Sequence, residues 1–265
     1  MIKHFIGKPA LITGGASGIG YATACKLSEC GMKVVLTDID ETALKQAVAT
    51  IPGSLGIPHD VGNRESWTEV LDQAEAGFGP LAVLFCNAGV AGTRLSIAET
   101  SPEGWQWSRQ ILLDGVFHGL NLGVPRLLKS GGPAHVFVTS SLGAMVPKQD
   151  NGIYSAMKAG VVALCESLRL ELANSPVNVS VLLPGLVATH LIRDNIGRAP
   201  GGVFTGERDE ELEENMASAL PAASVANLIA DTLGTEQFWL FTHPELRHLV
   251  DARAKEISAS MNTML

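Results

Sequence analysis

The sequence has no basic tract, no paired cysteines and no long apolar run, and each absence narrows what the chain can be. Its formal net charge of −8 argues against non-specific affinity for nucleic acid or an anionic membrane. Cys25, Cys30, Cys86 and Cys165 form no Cys-x-x-Cys pair and share no ligand spacing with histidine, so they read as reduced, buried thiols. The seven histidines are scattered, no His-Glu-x-x-His pattern occurs, and no metal site is expected. The longest apolar stretch, PLAVLFCNAGVAG, falls short of the ~20 residues a membrane span needs. The opening residues, MIKHFIGKPALITGG, lack the apolar core and cleavage site of a signal peptide. The expectation is a cytoplasmic chain with no membrane or nucleic-acid partner.

What is present is a globular composition. Of 265 residues, 46% are hydrophobic and 17% charged, enough to bury a sizeable core. Short β-branched runs alternate with longer amphipathic segments. KPALIT, KVVLTD, SLGIPHD, LAVLFCN, HVFVTSS, VNVSVLLP and FWLF read as strands. Helices are predicted between the first six, near residues 18–30, 41–50, 63–78, 102–130 and 153–174. Such alternation implies right-handed crossovers and a mostly parallel sheet covered by helices on both faces, a doubly wound α/β fold. No repeat or linker divides the chain, so residues 1–265 are expected to form one domain. Residues 186–220 interrupt the rhythm as an insertion after the sixth strand, acidic in GERDEELEENM, a run read as a solvated helix face. Residues 244–261 are predicted to form a last helix after Pro244.

LITGGASGIG follows the first strand and opens a helix, with the spacing Gly14-x3-Gly18-x-Gly20. Glycines there permit a tight turn and let the backbone approach a pyrophosphate, which then rests on the helix N-terminus. A glycine-rich turn is by itself a weak signal, but strand, glycines and helix come in the required order. Asp38 ends the second strand, where a carboxylate can bind both ribose hydroxyls of an adenosine and repel a 2′-phosphate. No Arg or Lys lies in GGASG or directly after Asp38, which favours NAD over NADP. Asp40 suits the N-cap of the next helix better. Asp60-Val61 is expected to end the third strand, with Asp60 accepting the adenine amino group. Asn87-Ala88-Gly89 ends the fourth strand as a small turn that leaves room for the cofactor.

Tyr154 and Lys158, in YSAMK, lie early in a predicted helix, and their i, i+4 spacing puts phenol and ammonium on one face. A phenol near pKa ~10 is a poor acid–base group at neutral pH unless a neighbouring cation stabilises its phenolate. Tyr-x3-Lys is common by chance and often means two surface residues. Ser141, thirteen residues before Tyr154, ends the fifth strand on the same edge as the glycine turn, where its hydroxyl can hold a substrate oxygen.

Taken together, Thr13-Gly14-Gly15-Ala16-Ser17-Gly18-Ile19-Gly20, Asp60-Val61, Asn87-Ala88-Gly89, Ser141, Tyr154-x3-Lys158 and Pro184-Gly185 resemble the short-chain dehydrogenase/reductase family in its single-domain branch. The resemblance covers nearly the whole chain. It implies a Rossmann-like fold with a seven-stranded sheet, Tyr154 as general acid–base, Lys158 lowering its pKa and bonding the nicotinamide ribose, and Ser141 orienting the reacting oxygen. In PGLVAT, the backbone of Val187 and the hydroxyl of Thr189 match the positions that hold the carboxamide. Hydride transfer between a secondary alcohol or ketone and NAD is the implied reaction. A homodimer or homotetramer joined through the helices at 102–130 and 153–174 is the implied assembly.

By position in the loops flanking Ser141 and Thr189, the substrate is expected to meet Leu142, Met145, Val146, His190, Leu191 and Phe204. This mainly apolar set suits a bulky lipophilic or aromatic alcohol, although packing of the loops explains it equally well. The tail FWLFTHPELRHLV is similar to members acting on aryl-propane Cα alcohols. One position departs from the family pattern. Aligning on GVF puts Leu112 where an asparagine usually completes a tetrad and helps hold a water chain reaching the lysine. Gln110 and Asp114 do not substitute, since residues two apart on a helix point about 200° away from each other. If the relay needs the amide rather than the backbone carbonyl of residue 112, up to ~10²–10⁴-fold of rate is at stake. A dinucleotide-binding sensor or partner subunit with little catalysis is therefore the alternative.

Overall fold

In a computed structural model, which describes residues 2–189, 191, 198–200 and 219–261, seven strands form a single sheet. These are β1 (Pro9–Thr13), β2 (Lys33–Asp38), β3 (Leu55–Pro58), β4 (Val83–Cys86), β5 (Ala134–Thr139), β6 (Val177–Leu183) and β9 (Trp239–Phe241). They stand in the order β3-β2-β1-β4-β5-β6-β9, and every neighbouring pair is parallel. The short strands β7 (Val187–Ala188) and β8 (Leu220–Pro221) pair apart from the sheet, at the two ends of the expected insertion. The strand order reverses at β1, so the carboxyl ends of β1 and β4 flank the crevice where α/β sheets bind ligands. All seven predicted strands are present. The third is shorter than expected: it ends at Pro58, before Asp60-Val61, where the chain turns with Gly62 N donating to Asp60 Oδ1 at 2.9 Å.

Both faces of the sheet are buried, which is why its strands read as continuous apolar runs. Side chains still alternate. Leu11, Leu84, Val136 and Val138 enter one core with Trp67, Leu71, Leu127 and Val161. Ala10, Ile12, Val83, Phe85 and Phe137 enter the other with Ala24, Leu27, Val225 and Ile229. The first face is covered by α3 (Arg64–Phe78), α5 (Gly115–Ser130) and α6 (Gly152–Glu171), the second by α1 (Gly18–Glu29) and α7 (Ala222–Thr232). Asp40 caps α2 (Glu41–Thr50) by accepting from Ala43 N at 3.0 Å, and Asn63 caps α3 by accepting from Ser66 N at 3.1 Å. The last helix, α8 (Arg247–Met261), buries none of its residues. Among the described residues no helix is long and apolar enough to cross a membrane, and no cluster of metal-ligating side chains occurs.

The segment predicted as one helix over 102–130 is interrupted. α4 (Pro102–Arg109) passes into a π turn, Gln110–Asp114, before α5 begins. Gly115 N reaches back five residues to Gln110 O, the widened spacing that defines a π turn and places an extra residue in it. Packing accounts for where the turn ends. A Cβ on Gly115 would come within 3.0 Å of Val61 O, on Gly119 within 2.6 Å of the Trp67 ring, and on Gly123 within 2.6 Å of Leu84. These glycines at every fourth position bring α5 hard against α3 and β4, fixing its register.

Candidate active site

The carboxyl edge of β1, β2, β4, β5 and β6 opens into a cavity of about 690 Å³. At one end lies the glycine turn. Gly14 and Gly18 have φ of +63° and +53°, conformations that glycine adopts without strain. Gly20 has no room for a side chain, because a Cβ would fall 2.1 Å from Gly14 O. Ser17 is the N-cap of α1 but its hydroxyl makes no cap bond, leaving it and the helix N-terminus available to an anion. Across the turn, Thr189 packs its methyl 3.0 Å from where a Cβ on Gly18 would be.

Asp38 is held at the end of β2 by two backbone donors, Ala16 N at 3.2 Å and Asp40 N at 3.1 Å. Its carboxylate is thereby fixed at the rim of the cavity where the sequence predicted ribose binding. Arg198, far off in sequence, also lines this end and sits 3.8 Å from Asp40. Sequence spacing gave no sign of that cation, since the insertion alone brings it here. Beneath the rim, His59 shares a hydrogen bond with Thr37 Oγ1 at 3.1 Å and meets Trp67 edge-on. Burial lowers its pKa to about 4, so the ring is neutral.

Asn87 lines the cavity, but its amide is committed to the scaffold. Asn87 Nδ2 donates to Thr13 O at 3.0 Å, and Oδ1 accepts from Thr139 Oγ1 at 3.0 Å. Thr13 Oγ1 in turn accepts from the backbone nitrogens of Asn87 and Ala88. The side chain ties β1, β4 and β5 together at the crevice, a role in addition to the roomy turn that the sequence implied.

At the other end, α6 delivers Tyr154 and Lys158 beneath the turn that follows β5. Tyr154 and Ser141 line the same part of the crevice, and Ser141 Oγ accepts from Gly143 N at 3.1 Å. Lys158 Nζ donates to Thr139 O at 2.8 Å, while Lys158 O accepts from Ser140 Oγ at 2.8 Å. Both ends of the lysine are thus pinned to the end of β5. Burial lowers its pKa to about 8, which leaves it protonated at neutral pH. Its ammonium lies 5.8 Å from the Tyr154 ring centroid. The expected depression of the tyrosine pKa is not seen in the chain by itself. Burial raises it, and only the neighbouring Ser141 hydroxyl pulls the other way.

The residues expected to meet substrate lie in different places. Leu142, Met145 and Val146 do not line the cavity. Met145 N and Val146 N both fold back onto Leu142 O at 2.9 Å, and Met145 packs on the sheet core instead. Leu191 does line it; His190 and Phe204 lie outside the described residues. Trp107, Ile111, Val90 and Leu186 also line the cavity. Trp107 and Ile111 are four apart, a helical spacing that could have singled them out. Leu112, the departing position, sits in the π turn fully buried, in a small cluster with Ile153 and Met157 against Tyr154 and Val90. Its Cδ2 comes within 3.3 Å of the place a Cβ on Gly89 would occupy.

A glycine turn at a helix N-terminus, a serine, a tyrosine and a buried lysine on the same crevice are features of nucleotide-dependent oxidoreductases. The family model described as short chain dehydrogenase matches residues 8–197, and the chain belongs to the short-chain dehydrogenase/reductase family. It is 29% identical to a C alpha-dehydrogenase of Sphingobium sp. (strain NBRC 103272 / SYK-6), over 99% of this chain and 89% of that protein. It is 35% identical to an NADP-dependent (R)-specific alcohol dehydrogenase of Lentilactobacillus kefiri, over 73% of this chain and 79% of that one. A crystal structure of a Burkholderia phymatum short-chain dehydrogenase/reductase in complex with NAD superposes with a TM-score of 0.91 at 32% identity, covering 97% of this chain and 96% of that one.

Proposed function

We propose that the chain is an NAD-dependent dehydrogenase of secondary alcohols that acts on a bulky apolar or aromatic substrate and works as a homodimer or homotetramer. The observation that carries this reading is the convergence of Ser141, Tyr154 and Lys158, with the ammonium 5.8 Å from the tyrosine ring centroid, on the crevice that holds the glycine cradle. The residues fit a dinucleotide. Gly14, Gly18 and Gly20 admit a pyrophosphate that a Cβ at Gly20 would displace, and the Ser17 hydroxyl stands ready beside it. Pro184, Gly185, Val187 and Thr189 would hold the nicotinamide end. Asp38, with its carboxylate fixed by backbone donors, favours two ribose hydroxyls over a 2′-phosphate. Asp60, Val61, Ala88 and Gly89 would flank the adenosine and the middle of the cofactor.

When bound, NAD supplies the hydride acceptor at C4 of its nicotinamide. Ser141 Oγ and Tyr154 Oη hold the substrate oxygen. The Tyr154 phenolate takes the hydroxyl proton as the carbinol carbon gives up its hydride, leaving a ketone. Because burial raises the Tyr154 pKa, forming that phenolate depends on the charge of Lys158, which stays protonated until about pH 8. Trp107, Ile111, Val90, Leu186 and Leu191 add apolar side chains to the cavity that holds Ser141 and Tyr154, which supports an aryl or alicyclic carbinol. A C alpha-dehydrogenase among the relatives agrees with that class.

The test is NADH formation across aryl, alicyclic and steroid carbinols by the native chain and Tyr154→Phe. Turnover with at least one class, lost in the variant, is the expected outcome; a variant as active as the native chain would refute the mechanism. Leu112 favours a second reading, a dinucleotide-binding sensor with little catalysis, because an apolar, fully buried side chain occupies the relay position. Steady NADH production by the native chain would rule that reading out.

A further inference from the structure

The Pro184–Gly185 turn is held from a part of the chain beyond the stretch that the family model matches. Gly185 N donates to Thr242 Oγ1 at 3.1 Å, and Thr242 Oγ1 shares a second hydrogen bond with His243 Nδ1 at 2.7 Å. The imidazole stands close against the turn. A Cβ on Gly185 would fall 2.6 Å from Nδ1 and 2.7 Å from Cγ, so residue 185 must be glycine because His243 is there. Neither Thr242 nor His243 lines the cavity, whereas Pro184 and Gly185 do.

The other side of the turn is tied to the loop that carries the reacting serine. Pro184 O accepts from Leu142 N at 2.9 Å, directly after Ser141, and Leu142 O accepts from Met145 N. Arg253 Nη1 on α8 donates to Met145 O at 3.2 Å. One continuous set of bonds therefore runs from the segment after β9, through the Pro184–Gly185 turn, to the Ser141 loop. Residues 242 and 243 are themselves anchored where β9 pairs with β6, with Leu183 opposite Phe241.

We infer that Thr242 and His243 are positioning residues, which set the Pro184–Gly185 turn and through it the placement of the nicotinamide ring against the substrate oxygen held by Ser141. The inference rests on the dehydrogenase reading above. Thr242 caps a backbone donor that the turn would otherwise leave without its partner, and the imidazole blocks the turn from retreating. Loosening either releases the nicotinamide end of the site, while the glycine turn and Asp38, at the adenosine end, keep their own contacts.

That asymmetry supplies the test. Dissociation constants for NAD and for ADP-ribose, which lacks the nicotinamide, are measured by calorimetry on the native chain, Thr242→Val, Thr242→Ser, His243→Leu and His243→Asn, alongside kcat, KM and melting temperature. Losing a hydrogen bond to a backbone donor is worth roughly 5- to 100-fold in an equilibrium constant. Thr242→Val and His243→Leu should weaken NAD by about that range and lower kcat comparably, with ADP-ribose affinity held within about twofold. Thr242→Ser, which keeps the hydroxyl, and His243→Asn, which keeps a polar group at the Nδ1 position, should recover most of the loss. Equal weakening of both nucleotides, or unchanged NAD affinity and kcat in both apolar variants, would overturn the positioning role. A native chain that binds neither nucleotide would instead overturn the cofactor reading and the inference with it. A native chain that binds both but turns over no alcohol would overturn the catalytic reading alone, and the NAD to ADP-ribose comparison would still decide the role of the pair.

Discussion

Replacing Lys158 by methionine should abolish turnover and yet leave the fold as stable as before, or slightly more so. Lys158 is 3% exposed, and burial takes its pKa from 10.5 to about 8. Holding the ammonium in that environment costs about 3 kcal/mol at neutral pH. Methionine has a similar length and no charge, so the variant escapes that cost. It also strands Thr139 O, the acceptor of the lysine's 2.8 Å bond, at roughly 1–3 kcal/mol. The net effect at pH 7 is about 0–2 kcal/mol in favour of methionine.

The pH dependence gives the sharper test. An unfolded lysine keeps its proton up to about 10.5, while the folded one releases it near 8. Between those values the unfolded state binds more protons, so this group makes the native chain more stable as pH rises. The advantage of the variant should therefore shrink by about 3 kcal/mol between pH 7 and pH 11. Cys165, whose pKa burial pushes up to about 12, Cys86 and Tyr154 act in the opposite direction over the same range. They are present in both chains, so what burial does to them cancels in the difference; only the charge coupling of Lys158 to Cys165 and Tyr154 does not. Urea unfolding of native and Lys158→Met chains across that pH series measures it. A difference that stays flat or grows with pH, or a variant clearly less stable at pH 7, would refute the reasoning.

Other perturbations have defined outcomes. Leu112→Asn puts an amide into a fully buried cluster and should cost roughly 1–3 kcal/mol unless it finds a partner; a lowered urea midpoint together with faster turnover would mark a relay that the leucine impairs. Gly20→Ala drives a Cβ to 2.1 Å from Gly14 O, so NAD affinity should fall at least about tenfold with a loss of stability of roughly 1–3 kcal/mol, both read by calorimetry and thermal melting. Asp38→Asn should narrow the preference for NAD over NADP in kcat/KM, and Arg198→Gln in that background should restore part of it by removing the cation that sits at Asp40. Alcohol oxidation should accelerate from pH 6 towards about 8 as the Tyr154 phenolate becomes accessible, then level or fall as Lys158 loses its proton; a rate independent of pH would count against Tyr154 as the base.

Much of the site was legible before any coordinates because its chemistry is local in sequence. The glycine turn, Asp38 and the Tyr154–Lys158 pair each lie within one strand end or one helical turn, where spacing fixes geometry. The apolar lining of the cavity was not legible, for the opposite reason. Leu142, Met145 and Val146 are near Ser141 in sequence, but the turn that follows packs Met145 on the core and leaves all three off the cavity lining. Trp107 and Ile111 come from a helix separated by tens of residues. The π turn was also beyond the pattern, since a helix with one extra residue keeps the same amphipathic composition.

The sequence by itself determined the alternation of strands and helices, the order of the motifs and the candidates for the reacting groups, because hydrophobic period and residue chemistry are written residue by residue. Tertiary structure decided the rest. It set Asn87 to bracing three strands, brought Arg198 to the adenosine end, placed Leu112 inside the π turn against Tyr154, and laid Thr242 and His243 against Gly185. Each of these depends on which distant segments meet across the carboxyl edge of the sheet. It also decided the ionisation of Tyr154 and Lys158, because desolvation follows from the number of neighbours a fold gathers around a group rather than from the group's own chemistry.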